Sequence, residues 1–266
     1  MMLSLELINN IFSSISNDRS QTYDLSVEEL FNMNDMNLFR KDHAQFQNTL
    51  LQLSVEDKLL VKNEILQAVK NYRKNSNFNF YELKFGSSKK RMELSLQLLK
   101  SATNNDNKKR VCELGSNTGE WTALWFLHNQ AIDSSLYSCC DIIPEYCQLL
   151  SLFGFHAVPL NLAKENIIEL MPHDNDVVIL TEVIEHLTNK KLGIQLILDA
   201  TSILAKNGTM IVSYPRDVGE ISSSPIGHQY QPDKNEINNS IHHLFSNVAM
   251  FFDGSREYHC FSGFKK

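Results

Sequence analysis

Glycine and proline are scarce, ten and six in 266 residues, which excludes collagen-like sequence and long Pro/Gly-rich linkers. No apolar run approaches the roughly 18 residues that a membrane-spanning helix needs. The opening Met1-Met2-Leu3-Ser4-Leu5-Glu6 lacks a basic flank followed by an apolar core and does not read as a secretory signal. Cysteine is sparse and odd in number: five residues, at 112, 139, 140, 147 and 260, in a spacing that fits neither a disulfide framework nor a CxxC zinc pair. A reducing, cytoplasmic compartment is the expectation that follows. What is there is an ordinary globular composition, 42% hydrophobic and 21% charged, long enough for one α/β domain with a helical appendage.

The net charge of −6 is unevenly spread. Residues 1–40 carry two basic and six acidic side chains, residues 41–110 fourteen and seven, and residues 111–266 nine and eighteen. An acidic C-terminal portion disfavours nucleic acid as the partner, and the basic excess in the middle has a bland reading as solvated helix faces.

The N-terminal third has helical periodicity. Ser26 and Glu29 have capping-box spacing before Leu30 and Phe31, and Ser54 precedes Leu59, Leu60, Ile65, Leu66 and Val69 at helical intervals. Residues 87–99 repeat the pattern with Met92, Leu94, Leu96, Leu98 and Leu99. From Arg110 the period changes. Short β-rich runs at 111–114, 136–140, 156–160, 177–180 and 210–214 alternate with helical stretches, the sign of parallel βαβ units. Two further runs, 248–252 and 258–264, are separated by Asp253-Gly254-Ser255 and a few polar residues, so the sheet should end in an antiparallel hairpin. The division expected is a helical N-terminal lid over 1–85 and an α/β core over 86–266, with Tyr81 to Phe85 and the preceding helix closing over a bound ligand.

Val111 to Trp121 reads as strand, tight loop and helix start, with Gly115 and Gly119 allowing close backbone approach to a ligand. A turn that merely links strand to helix would look the same. The second strand adds Asp141, about 22 residues after Gly119, where a carboxylate can accept hydrogen bonds from both ribose hydroxyls. Asn161 follows the third strand, either as a structural turn or as a reader of adenine. A nicotinamide dehydrogenase competes for a glycine turn plus an acid.

Glu113 to Gly119, Asp141, the run Asp176 to Leu187 with Glu182-Val183-Ile184-Glu185-His186, and Leu204 to Pro215 together resemble the successive motifs of class I S-adenosylmethionine-dependent methyltransferases, in their order and spacing, over residues 110–215. That resemblance implies a Rossmann-like, seven-stranded, mostly parallel α/β sheet of order 3-2-1-4-5-7-6 with strand 7 antiparallel, and S-adenosyl-L-methionine as cofactor. Glu113, Gly115 and Gly119 would line the methionine and ribose moieties, Asp141 would hold the ribose, Ile142 and Leu162 would sandwich adenine, Asn161 would read its edge, and Thr181 would border the site. Asn117 stands where the family's GxGxG has its middle glycine; Asn tolerates positive φ better than most other residues.

Glu182, Glu185 and His186 stand at i, i+3 and i+4, so a helix beginning right after the fourth strand would put all three on one face at the ligand-binding edge of the sheet. Three readings stand side by side: a satisfied helix-start cluster, a general base at His186 or Glu182, and a divalent-metal site completed by His228. The last resembles the pattern of small-RNA terminal 2′-O-methyltransferases, which use two Glu and two His. His228 lies in a long polar loop after the fifth strand, a position that suits acceptor binding. The function expected is O-methylation of a small polar acceptor such as a sugar, an envelope-saccharide precursor or a secondary metabolite, by His186 or His228 with Glu182 and Glu185 and without metal. The alternatives are a metal-dependent RNA 2′-O-methyltransferase and a non-catalytic cofactor-binding regulator.

Overall fold

The computed structural model describes residues 27–54, 56–57, 92–117, 119, 122–219, 221 and 227–266. Seven strands, β1 (Val111–Leu114), β2 (Tyr137–Asp141), β3 (His156–Pro159), β4 (Asn175–Thr181), β5 (Leu204–Pro215), β6 (Phe245–Phe252) and β7 (Arg256–Phe264), form one sheet. Their order is β3-β2-β1-β4-β5-β7-β6. β1 to β5 pair in parallel, while β7 runs antiparallel to both of its neighbours. This is the sheet the sequence leads one to expect, hairpin included. The main shift in bounds is β5, which begins at Leu204 rather than Met210 because Leu204 already pairs with Asn175 ahead of an irregularity in the β4 register.

The helices are α1 (Val27–Asn32), α2 (Asn37–Gln52), α3 (92–102), α4 (Ala123–His128), α5 (Pro144–Leu152), α6 (Ile167–Leu170), α7 (Lys190–Ser202) and α8 (Lys234–Ile241). Sequence explains several of their starts. Asn189 caps α7 by accepting the Leu192 N–H, Asp233 caps α8 by accepting those of Asn235 and Glu236, and Pro144 opens α5, where its missing N–H costs nothing.

Alternate strand residues feed two cores, one on each face. Cys112, Leu114, Val178, Leu180, Met210 and Val212 pack with Leu196, Ile197 and Ala200 of α7. On the other face Val111, Tyr137, Cys139, Val177, Ile179 and Ile211 pack with Leu98, Leu99, Phe126 and Leu150. A sheet covered on both sides is why Val177 to Leu180 reads as an unbroken apolar run.

The described part of the expected lid, α1 and α2, is docked at the β3 side of the sheet. His43 Nε2 lies 3.1 Å from Ser151 Oγ of α5. Glu165 joins appendage and core: one oxygen accepts from Met36 N (3.2 Å) and meets Arg40 Nη2 (2.9 Å), while the other accepts from Asn161 N (2.9 Å). Arg40 also donates to the Pro159 carbonyl at 3.2 Å. Ser26, most of the pattern after Ser54, residues 87–91 and the segment Tyr81 to Phe85 lie outside the described residues, although Ser54 itself accepts the Asp57 N–H at 3.0 Å as a cap would.

Glu165→Ala should lower unfolding stability by about 2–4 kcal/mol, since it strands the Met36 and Asn161 N–H groups and removes the buried carboxylate partner of Arg40. Leu38→Ala on the exposed side of α2 should stay within about 0.5 kcal/mol. Urea unfolding checks both, and equal effects would mean that the docking of α2 contributes little.

Candidate functional site

A cleft of about 390 Å³ opens at the carboxyl edge of the sheet, lined by Phe31, Glu113, Gly115, Asn117, Asp141, Ile142, Asn161, Leu162, Thr181, Glu182 and His186 among others. Its size falls within the usual range for small ligands. The turn after β1 shapes one wall. Gly115, Asn117 and Gly119 all have positive φ (75°, 50° and 72°), so Asn117 occupies the left-handed region as the sequence suggests. At Gly115 glycine is required twice over: a Cβ there would lie 2.5 Å from Val183 Cγ2. Gly119 shapes the turn by donating to the Ser116 carbonyl (2.9 Å) without itself lining the cleft.

Asp141 is tied to this turn. One carboxylate oxygen accepts from Asn117 N at 2.7 Å and the other from Ile143 N at 3.0 Å. A carboxylate has about four acceptor positions, so two N–H bonds leave capacity for hydroxyl groups. Burial pushes the Asp141 carboxyl up to about 6, against the opposing pull of the Ile143 and Asn117 amides. Beneath the turn Glu113, almost fully buried, accepts from Tyr137 Oη (2.8 Å) and Thr122 Oγ1. Burial, and next the Glu113 charge, hold the Tyr137 phenol well above its ordinary range, so it remains a donor.

Asn161 lines the cleft and also anchors the N-terminal helices. It is fully buried, and its amide donates to the carbonyls of Leu30 (3.3 Å), Phe31 (2.9 Å) and Met33 (2.9 Å) while its oxygen accepts from Ala163 N. Both N–H donors are spent on the α1–α2 corner, so the side chain has none left for a nucleobase edge. Phe31, legible in the sequence only as an apolar helix position, is the residue this anchor brings to the cleft.

The cluster after β4 is also built differently from the expected helix face. Glu182 takes a left-handed conformation (φ 56°), its N–H donating to Ser213 O at 3.0 Å, and the chain continues through a single 3-10 turn, Ile184–His186. A left-handed non-glycine residue costs about 1–2 kcal/mol, the kind of strain found at functional sites. Glu182 therefore does not share a face with Glu185 and His186; it pairs with Arg256 Nε at 2.7 Å. The partner arrives from 74 residues downstream and carries no sequence signal.

Glu185 is fully buried, and His186 and His228 pack with ring centroids 5.0 Å apart. His186 Nδ1 lies 3.2 Å from the Gly227 carbonyl and His228 Nδ1 2.9 Å from that of Val218. A proton on Nδ1 would suit each of these contacts, and His186 Nε2 faces Glu185 Oε1 at 4.0 Å. Glu185, His186 and His228 each offer an atom within 4.8 Å of the others. The Tyr230 hydroxyl occupies the space that a side chain at Gly193 of α7 would fill, so a larger residue there would displace the Tyr230 side chain.

No protein-family model matches the sequence, and no curated protein is significantly similar to it. Solved structures are similar. A SAM-dependent methyltransferase from Archaeoglobus fulgidus matches at 15% identity over 71% of this chain and 100% of its own, TM-score 0.51. Magnesium protoporphyrin IX methyltransferase (ChlM) from Synechocystis PCC 6803 matches at 15% identity over 79% and 98%, TM-score 0.49. With the strand order above, the chain has the fold of the class I S-adenosylmethionine-dependent methyltransferases. Among the described residues no helix is long and apolar enough to cross a membrane.

The elevated Asp141 carboxyl has a thermodynamic consequence. Because the folded state holds this proton up to about 6, against 3.8 ordinarily, Asp141 favours the folded state fully below about pH 4. That contribution is lost as pH rises through about 6. Urea unfolding of wild type and Asp141→Asn between pH 4 and 7 should show a falling component present only in wild type; parallel profiles would place the Asp141 carboxyl in the ordinary range.

Proposed function

We propose that this protein is an S-adenosylmethionine-dependent methyltransferase that methylates an oxygen of a small polar acceptor such as a sugar, an envelope-saccharide precursor or a secondary metabolite. The observation that carries the reading is one continuous cleft running from the Gly115 turn and Asp141 to Glu182 and His186. The residues fit the cofactor: a glycine too crowded for any Cβ, a carboxylate with free acceptor capacity, and Ile142 and Leu162 as apolar walls. S-adenosylmethionine supplies an electrophilic methyl group on a sulfonium sulfur.

The chain's own part is alignment, exclusion of water and removal of a proton. Asp141 binds the ribose hydroxyls, and Thr181 and Glu182 border the passage to His186. As the acceptor hydroxyl gains the methyl group, its proton passes to the His186 imidazole, the cleft-lining group whose ordinary range suits a base near neutral pH. Glu185 and His228 flank and orient that imidazole. The acid excess of residues 111–266 supports a small molecule rather than a nucleic acid as acceptor.

A second reading of the proton step is supported by the same three groups: both imidazoles have Nδ1 anchored on main-chain carbonyls, as metal-ligating histidines usually do, and a buried carboxyl stands beside them. Glu185, His186 and His228 would then hold a divalent cation that lowers the acceptor pKa, without Glu182, which Arg256 engages.

Calorimetry should find S-adenosylmethionine or S-adenosylhomocysteine binding that Asp141→Ala weakens by about 1–3 kcal/mol. A chain that takes up only a nicotinamide dinucleotide would falsify the cofactor assignment. With transfer of labelled methyl into a panel of polar acceptors as the assay, His186→Ala and His228→Ala should each lower turnover by about a hundredfold or more at nearly unchanged cofactor affinity. Activity that persists in EDTA keeps His186 as the base, whereas loss in EDTA with rescue by a divalent cation selects the cation. Full activity in both variants removes these histidines from the mechanism.

A further inference from the structure

Beside the cleft, a polar anchor ties the N-terminal helices to the end of β3. Asn161 spends its amide on three carbonyls at the α1–α2 corner, two of them, Leu30 and Phe31, in the last turn of α1. Glu165, four residues on, binds Met36 N, Arg40 and Asn161 N together. Leu30, Met36 and Phe39 form a small apolar cluster against which Met33 and Ile142 pack. Two polar anchors and one apolar contact therefore fix the corner in a single position, and that position puts Phe31, 8% exposed, into the wall of the cleft with Asp141, Ile142, Leu160 and Leu162.

We propose that Phe31 is an adenine-binding residue and that Asn161 acts on the cofactor only through it, as the positioning residue that holds the α1–α2 corner. The proposal rests on the cofactor reading above and adds to it that helices α1 and α2 are part of the cofactor site. The chemistry fits the place. Asp141 marks the ribose position in the same cleft, and the residues around Phe31 beyond it are apolar, suited to the faces of an aromatic base. Asn161 has no N–H left with which to read the edge of that base. The Asn161 side chain therefore donates nothing to the ring nitrogens of the base, and Phe31 holds adenine by a face.

The test uses the full chain and three probes: S-adenosylhomocysteine, methylthioadenosine, which keeps the nucleoside but lacks the amino-acid portion, and S-inosylhomocysteine, in which the exocyclic amine is replaced by oxygen. Phe31→Ala should weaken S-adenosylhomocysteine and methylthioadenosine alike, by about tenfold, and Phe31→Tyr should restore most of the affinity. Asn161→Ala should weaken the adenosyl and inosyl homocysteines by the same factor. Melting of the unliganded variants, followed by circular dichroism, separates a loosened corner from an unfolded chain. Should Phe31→Ala fold yet bind both adenosyl probes like the wild type, Phe31 is not a binding residue. A loss in Asn161→Ala confined to the adenosyl ligand makes Asn161 a reader of the base and overturns the assignment. A wild type that takes up none of the probes overturns the cofactor reading, and this proposal with it, whereas wild-type binding left unchanged in the variants overturns this proposal alone.

Discussion

Gly115 leaves the chain little choice. With φ at 75° and Val183 standing 2.5 Å from where a Cβ would be, only glycine can follow this path out of β1. The turn this permits directs Gly115 N and Ser116 N to the Cys140 carbonyl and Asn117 N to the Asp141 carboxylate. It thereby locks the end of β1 to the end of β2. Val183, the residue that fills the missing side chain's place, belongs to the segment that turns away after β4, so the same contact sets where Glu185 and His186 begin. Three strand ends meet at one absent methyl group, and the cleft is the space they leave.

Much of this architecture is legible in the sequence because it is local. The change from a helical period to short apolar runs marks each strand of the parallel sheet, the Asp253-Gly254-Ser255 spacing marks the hairpin of β6 and β7, and Asn117 declares its left-handed turn by residue type. What escaped is long-range or depends on one backbone angle. Nothing near Phe31 in sequence indicates that Asn161, 130 residues away, will hold its carbonyl. Nothing near Glu182 announces Arg256. Their spacing alone presents Glu182, Glu185 and His186 as one helix face, but the positive φ at Glu182 turns that residue toward β7 and leaves only the other two together with His228. Periodicity assumes a regular helix, and a single left-handed residue removes the assumption.

The polar groups of the site are held by partners that fix direction rather than by mutual pairing alone. Glu113 is held by two hydroxyls, Asp141 by two amides, Glu182 by a guanidinium, and each imidazole by a carbonyl. Buried or half-buried carboxyls held in this way keep fixed positions before any ligand arrives, and little reorganisation is then needed on binding. The cost is visible in Asp141, whose carboxyl is pushed up to about 6 because its burial outweighs the opposing pull of the Ile143, Asn117 and Ile142 amides.

That arrangement bears on the order of events under the proposed reaction. Glu113, Asp141 and Glu182 place three carboxyl groups around the cleft, and Arg256 is bound to Glu182. Such a cleft favours a ligand bearing positive charge over the same ligand without it, and the preference is strengthened by the partial exclusion of water. A sulfonium cofactor carries one more positive charge than the thioether left after methyl transfer. Under the proposed reaction a carboxyl-rich wall would bind the reactant form more tightly than the spent form, so the step that forms product would also loosen the hold on the cofactor.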